Sequence, residues 1–268
     1  MYSRPMGAFA LILLLTSGTA NAAAPTELMG TLSGDYAHSD SSGVSGNAWG
    51  FNAAGAFGLG TNDLGAELNG SYHRASASGV DLDAWGLGGS LFWAPGMGRL
   101  GATATYQSFN FGGLASGLDA HATTYGVFGE YFGNEFFTLG AKGGGLSGEA
   151  TLAGFGSGSD TGSYVGGSVT AYPISDFALN GSVDYVDFSG VHITTYGATA
   201  EYLISEMMPF SIFGGYARTD FSAGLGSADT WFVGVKFYPG GPTAPLVTRH
   251  RNGTLGPVGT VSGLKFAL

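Results

Sequence analysis

Trp231-Phe232-Val233-Gly234-Val235-Lys236-Phe237 is the stretch on which the reading of this chain turns. In an extended strand successive side chains point to opposite faces, so Trp231, Val233, Val235 and Phe237 share one side and Lys236 takes the other. The same alternation returns in about twelve segments between Leu28 and Tyr238, each closed off by Gly, Ser, Asn, Asp or Pro. Aromatic and branched residues on one face, with small and polar residues on the other, describe a wall between oil and water. Strands can cross a membrane only when every backbone N–H and C=O is paired, which requires a sheet closed on itself. The pattern therefore predicts an all-β fold: a transmembrane antiparallel up-and-down β-barrel of about twelve strands, with short periplasmic turns and longer external loops.

Composition points the same way. Only 10 % of the 268 residues are charged, 13 % are aromatic, 50 are glycine and none is cysteine. A soluble domain carries about 25 % charged residues. A β-sandwich would also alternate, but it would turn its apolar face inward and carry many Lys and Glu outside. A glycine-rich repeat solenoid would show a fixed short period, which is absent here. Disulfide stapling is excluded, as is a lipid anchor on cysteine. Residues 1–22 read as a signal peptide: Arg4 supplies the positive region, Ala8 to Leu15 the short apolar region, and Ala20-Asn21-Ala22 the cleavage signal. Residues 23–238 hold 19 Asp and Glu against Arg74, Arg99, Lys142, Arg218 and Lys236, while residues 239–268 hold Arg249, Arg251 and Lys265 with no acid. An acidic barrel is a poor partner for nucleic acid.

Strands are expected at 28–38, 47–59, 62–75, 82–93, 98–108, 120–132, 135–146, 163–173, 176–188, 192–204, 209–220 and 229–238. An even number places both ends of the barrel on one side, the periplasmic one. The connections alternate between tight turns, such as Gly60-Thr61-Asn62-Asp63 and Pro95-Gly96-Met97-Gly98, and Gly/Ser-rich stretches at 39–46, 76–81, 109–119, 147–162, 189–191 and 221–228. The short set falls on the periplasmic side throughout. Aromatics near strand ends form a girdle at each membrane interface: Tyr36 and Trp49, Trp85 and Trp93, Tyr125 and Tyr131, Trp231 and Phe237.

The inward face collects the ionisable residues Asp35, Glu67, Glu130, Asp184 and Glu201, opposed by Lys142 and Lys236. An acidic lumen concentrates cations and repels anions. Small inward residues (Gly50, Gly86, Gly88, Gly101 and Gly126) favour an opening. Residues 239–268 are basic and rich in Pro and Gly, with Pro239, Pro242, Pro245 and Pro257 breaking any regular strand. Three readings of this segment stay open: a periplasmic tail, a plug that folds Arg249, His250 and Arg251 into the acidic lumen, or a final strand ending Gly263-Leu264-Lys265-Phe266-Ala267-Leu268.

Strands such as Thr124-Tyr125-Gly126-Val127-Phe128-Gly129-Glu130-Tyr131, behind a signal peptide and between Gly-rich loops, resemble those of Gram-negative outer-membrane β-barrel proteins. Over residues 23–238 the chain is similar in style to small porin-family proteins of proteobacteria. The resemblance implies residence in the outer membrane, in contact with its lipid. It also implies passive diffusion of small hydrophilic solutes and engagement of the barrel-assembly machinery during biogenesis. The oligomeric state stays open. Porins fold a constriction loop into the lumen; residues 147–162, the longest loop, could serve.

No catalytic set stands out. Ser189 and His192 lack a third partner for a lipase-type site. Asp81-Leu82-Asp83 and Asp119-Ala120-His121 lie at external strand ends, where an Asp beside a His could activate water as in omptin-type proteases. The five histidines are scattered, and Asp35, His38 and Asp40 share one loop without a clear metal geometry. The expectation is a porin-like channel, weakly cation-favouring, without enzymatic activity, cofactor or metal. The alternatives are a non-conducting surface, adhesion or envelope-structural barrel, and an external-edge hydrolase built on Asp83 and His121.

Overall fold

The computed structural model describes residues 24, 25, 27–41, 44–60, 63–113, 117–152, 156–204, 209–222, 226–240 and 244–255. The segment read as a signal peptide and the last strand-like segment, 263–268, lie outside them. Twelve strands run in order: β1 Met29–Ser41, β2 Val44–Gly58, β3 Leu64–Ala77, β4 Val80–Trp93, β5 Gly98–Gly113, β6 Leu118–Asn134, β7 Phe137–Leu152, β8 Gly156–Ile174, β9 Phe177–Phe188, β10 Val191–Leu203, β11 Phe210–Phe221 and β12 Gly226–Phe237. Each pairs antiparallel with its sequence neighbours, and β1 pairs with β12 from Leu32↔Phe237 to Asp40↔Asp229, closing the barrel. Closure leaves no sheet edge, which is what hydrocarbon demands.

All twelve expected strands are present; the loops between them differ from expectation. The Gly/Ser-rich stretches 109–119 and 147–162 are largely strand. β5 continues to Gly113, β7 continues to Leu152, and β8 starts at Gly156 and runs for 19 residues. Connections are two to four residues long at the end expected to be external and two to six at the other, so short hairpins stand where longer external loops were expected. Paired backbone, not side-chain propensity, holds these glycines in strands: Leu146 to Leu152 pair with Gly162 to Gly156 rung by rung. Ser78-Gly79 and Ser189-Gly190 close two-residue turns in which both residues have positive φ, the geometry that matches strand twist.

The outer surface is apolar across the middle and ionic at the end away from Met29 and Phe237, here the distal end. Leu68, Leu87, Leu91, Leu100, Val127 and Val233 are each 60–65 % exposed. From Trp85 to Trp93 the belt is about 20 Å tall, given about 3.3 Å per residue and the usual strand tilt. The aromatics read as girdle residues face outward on this belt, with Trp49, Trp85, Trp93, Tyr36, Tyr125 and Trp231 all exposed. Its distal margin is marked by tyrosines whose hydroxyls reach a polar cross-strand neighbour. Tyr36 donates to Asn47 (2.9 Å), Tyr72 donates to Asp83 (2.7 Å), and Tyr216 donates to Asp229. Tyr106 and Tyr185 are hydrogen-bonded to His121 and His192 at 2.9 Å. Beyond them the outer face carries exposed Asp40, Arg74, Asp119, Glu149 and Arg218.

Inside, glycines face rings across the ladder. His73 lies over Gly50, Phe92 over Gly65, Phe128 over Gly101, Phe213 over Gly234 and Phe232 over Gly215. In each pair the two residues are direct register partners. The lumen glycines thus act as floors for folded-down side chains. They do not hold the lumen open, as their small size led one to expect for Gly50, Gly86, Gly88, Gly101 and Gly126. At Gly126 the hydroxyl of Tyr164 fills the place of a side chain, and at Gly88 Asn69 and Thr105 do. A Gly234→Ala chain would set its Cβ 2.4 Å from the Phe213 ring and 2.5 Å from the Gly34 carbonyl. It is expected to lose about 1–3 kcal/mol, read as a lower urea midpoint for the folded gel band. Gly129→Ala, with its nearest neighbour at 3.6 Å, should be near neutral.

Candidate functional site

After β12 the chain turns into the barrel. Pro239 accepts a hydrogen bond from Gly30 N–H (2.8 Å), which ties the exit to the start of β1. Gly240, with φ of 76°, passes where a side chain would strike the Leu28 carbonyl. Residues 244–255 then lie within the lumen at the end where β1 begins and β12 stops. They include a short helix, α1, Leu246–Asn252, preceded by Pro245 in extended conformation. Leu246 is fully buried against Tyr172, Ala178, Leu203 and Tyr238, and Leu255 packs on Phe92, Ala94 and Phe128 across the lumen. Arg249, His250 and Arg251 fill the last turn, where cations complement the helix carbonyl end.

The wall grips this segment through polar groups. Arg99 reaches from β5, donating to the carbonyls of Gly253 (2.8 Å) and His250 (3.0 Å) while paired with Glu130 at 2.6 Å. Glu67 accepts the backbone N–H of Leu255. Glu201 accepts from Lys236 and Tyr238 and stands 3.4 Å from His250. Arg251 donates to the carbonyls of Asn134 and Phe137, and its guanidinium lies over the rings of Phe132 and Tyr172 at 5.3 and 5.5 Å. Burial draws the Arg251 pKa down, with nearby Glu130 opposing the change. Such cation–ring contacts are strongest where water is excluded.

All seven residues read as lumen charges point inward, and each has a partner. Asp35 is 3.9 Å from His73 and accepts from Asn52 (3.4 Å). Lys142 and Asp184 pair at 3.0 Å on β7 and β9. Three residues escaped the sequence reading of the site: Arg99, Tyr172 and Tyr238. Arg99 was legible, because Leu100 faces lipid and its neighbour must therefore face the lumen. The tyrosines were not, since inward aromatics break the expected polar alternation. Counting the wall alone, five carboxylates face Arg99, Lys142 and Lys236; with Arg249 and Arg251 the balance is five to five.

Above the insert the lumen holds a cavity of about 500 Å³, bordered by Asp35, Asn52, His73, Asn180, Glu201 and Lys236, among others. A smaller space of about 250 Å³ lies beside Lys142 and Asp184.

The other candidate chemistries sit on the outer rim. Asp83 is held by Tyr72 and Arg74, and His121 by Tyr106, with β5 running between them. Ser189 donates to Asp160 and His192 is bonded to Tyr185, so these two have separate partners. His38 contacts Asn47 and Asp40 on the outer face, whereas Asp35 points inward. Among the described residues no group of three or more His, Asp or Glu could hold a metal.

A closed antiparallel barrel of twelve strands, apolar outside at membrane height and polar within, is an outer-membrane β-barrel protein. No family model matches the sequence, and no curated protein matches it. The fold is similar to that of an outer-membrane channel from Pseudomonas putida, with 12% identity, a TM-score of 0.52, and 84% of this chain and 98% of that one covered. It is also similar to the beta domain of the Bordetella autotransporter BrkA, with 10% identity, a TM-score of 0.50, and 78% and 98% coverage. Likeness at such identities is likeness of fold.

Proposed function

We propose that this barrel is an outer-membrane channel for small hydrophilic solutes whose periplasmic end is closed by its own C-terminal segment. The observation that carries the reading is the segment 244–255, gripped inside a lumen that still holds a polar cavity of about 500 Å³. A purely structural barrel would be served as well by a side-chain core. Here the blockage is a separate piece of chain, held largely by hydrogen bonds and ion pairs. With the insert in place the lumen charges balance. Without it five carboxylates face three cations, and passing cations are weakly favoured. Outer-membrane lipid and the barrel-assembly machinery are the partners this reading implies.

The test keeps folding and release separate. A protease site is placed between Gly240 and Ala244, the chain is refolded whole, and planar-bilayer currents are recorded before and after cleavage. Uncut protein should be nearly silent. Cut protein should open in discrete steps at least roughly tenfold larger, since a barrel of twelve strands is wide enough for a lumen that side chains alone do not fill. The reversal potential under a salt gradient should take the sign of a cation preference. Silence in both, with the barrel still migrating as folded, would sink the channel reading and favour a non-conducting surface barrel.

A further inference from the structure

We infer that the cavity above α1 is a binding site for a neutral, hydroxyl-rich solute of mono- or disaccharide size. The inference deepens the channel reading by naming the class of solute. Three arcs of the wall carry it. The strand order β8-β9-β10-β11-β12-β1-β2-β3 is unbroken around this side of the barrel. In its middle, Phe213 on β11 and Phe232 on β12 lie side by side with ring centroids 6.4 Å apart, and both border the cavity. To one side stand Asn180 and Thr199, and to the other Asn52 and Asn69, all bordering the same space.

Two rings tilted 53° to each other, with Lys236 Nζ 5.5 Å from the Phe213 ring, and amides and hydroxyls to either side offer an apolar patch and a polar rim to a pyranose ring. Such a ring has an apolar C–H face and an equatorial rim of groups that both donate and accept. Amides and hydroxyls offer both roles, which a carboxylate or ammonium cannot. Each of these amides is anchored to the wall by a hydrogen bond from its nitrogen, Asn180 to Thr170 (2.8 Å) and Asn69 to Glu67 (3.3 Å). Their rotamers are therefore fixed before a solute arrives.

Ions fit less well. Glu201 on this wall is already paired with Lys236, and Asp35 accepts from Asn52 and lies 3.9 Å from His73, so a bare ion would have to displace an existing contact to gain one. About 500 Å³ falls within the range of small-molecule pockets and accommodates one disaccharide.

The experiment uses the refolded full-length chain in micelles of a sugar-free zwitterionic detergent, titrated calorimetrically with sucrose and, separately, with sodium glutamate. Saturable millimolar binding of sucrose is expected, with no saturable heat from glutamate. Asn180→Leu and Asn52→Leu should each weaken it by roughly tenfold, the loss of about one good hydrogen bond. Should a variant fail to show the folded gel band, saturation-transfer NMR on the unaltered chain takes its place. Irradiating protein aromatic protons should then light up the C–H protons of sucrose. No saturable heat and no transfer would overturn the inference, as would tighter binding of glutamate. A channel that opens on cleavage but ignores sucrose loses this inference and keeps the channel reading. A barrel that binds sucrose but never conducts does the reverse.

Discussion

An Arg99→Ala chain is expected to fold as a barrel and let go of its insert. Arg99 is the residue on which most of the segment's restraints converge. Its guanidinium bonds two carbonyls at the end of α1, pairs with Glu130, and lies over Phe92 and Phe132 at 5.9 and 5.8 Å. Its side chain is 2 % exposed, so little of this interaction is screened by water. Removing one partner of such a buried pair costs about 3–5 kcal/mol, because the carboxylate and both carbonyls are left without their donor. The loss falls on docking of the segment more than on the barrel, because the β5–β6 ladder at Arg99 is held by backbone pairing that an alanine keeps.

The readout is built into the segment. Arg249 and Arg251 are trypsin sites that are 3 % and 7 % exposed. The unaltered chain in liposomes should resist cleavage there, while Arg99→Ala should be cut at both and should conduct without any added protease site. Arg218→Ala is the control. Arg218 is the exposed partner of Asp220 and Asp229 on the outer rim, and pairs of that kind contribute at most about 1 kcal/mol. A tail that stays resistant in Arg99→Ala would mean that the apolar seat of Leu246 and the bonds of Glu67 and Arg251 hold the segment without Arg99.

The barrel was legible in the sequence because period two survives any tertiary context. Trp85, Leu87, Leu91 and Trp93 must share a face if β4 exists at all, and the lipid then selects which face. Two features were illegible, for different reasons. The glycine-rich stretch 147–162 reads as loop because glycine carries no strand preference of its own. Its strand state comes from pairing with a neighbour and from rings such as Phe188, which lies over Gly148. The seating of α1 depends on contacts between residues more than a hundred positions apart, such as Arg99 with Gly253 and Arg251 with Phe137. Charge complementarity between a basic tail and an acidic barrel hinted at that meeting. No local pattern could say that Arg99 and three wall carboxylates would be its agents.

Leu87→Arg is expected to lower the stability of the barrel in lipid. Leu87 is 61 % exposed and lies on β4 between the girdle residues Trp85 and Trp93, opposite Gly70 and Tyr106 on the neighbouring strands. An arginine there must leave water for hydrocarbon or bend its side chain toward the interface. The cost on the lipid face of a barrel is about 2–4 kcal/mol near the midplane and about 0–1 kcal/mol near the interfaces. The paired test is Ser76→Arg on the same outward face of β3, beyond the tyrosine margin, where the loss of a hydrogen bond to Asp81 (2.6 Å) should change stability by no more than about 1 kcal/mol. Urea midpoints measured in liposomes should separate the two variants clearly. The sign is informative, because an exposed leucine on a water-soluble barrel could be replaced by arginine at no cost. If Leu87→Arg is neutral in lipid, the surface called the belt does not meet hydrocarbon. If its penalty vanishes when Arg is moved to position 76, the position of the membrane on the barrel is fixed by energy as well as by pattern.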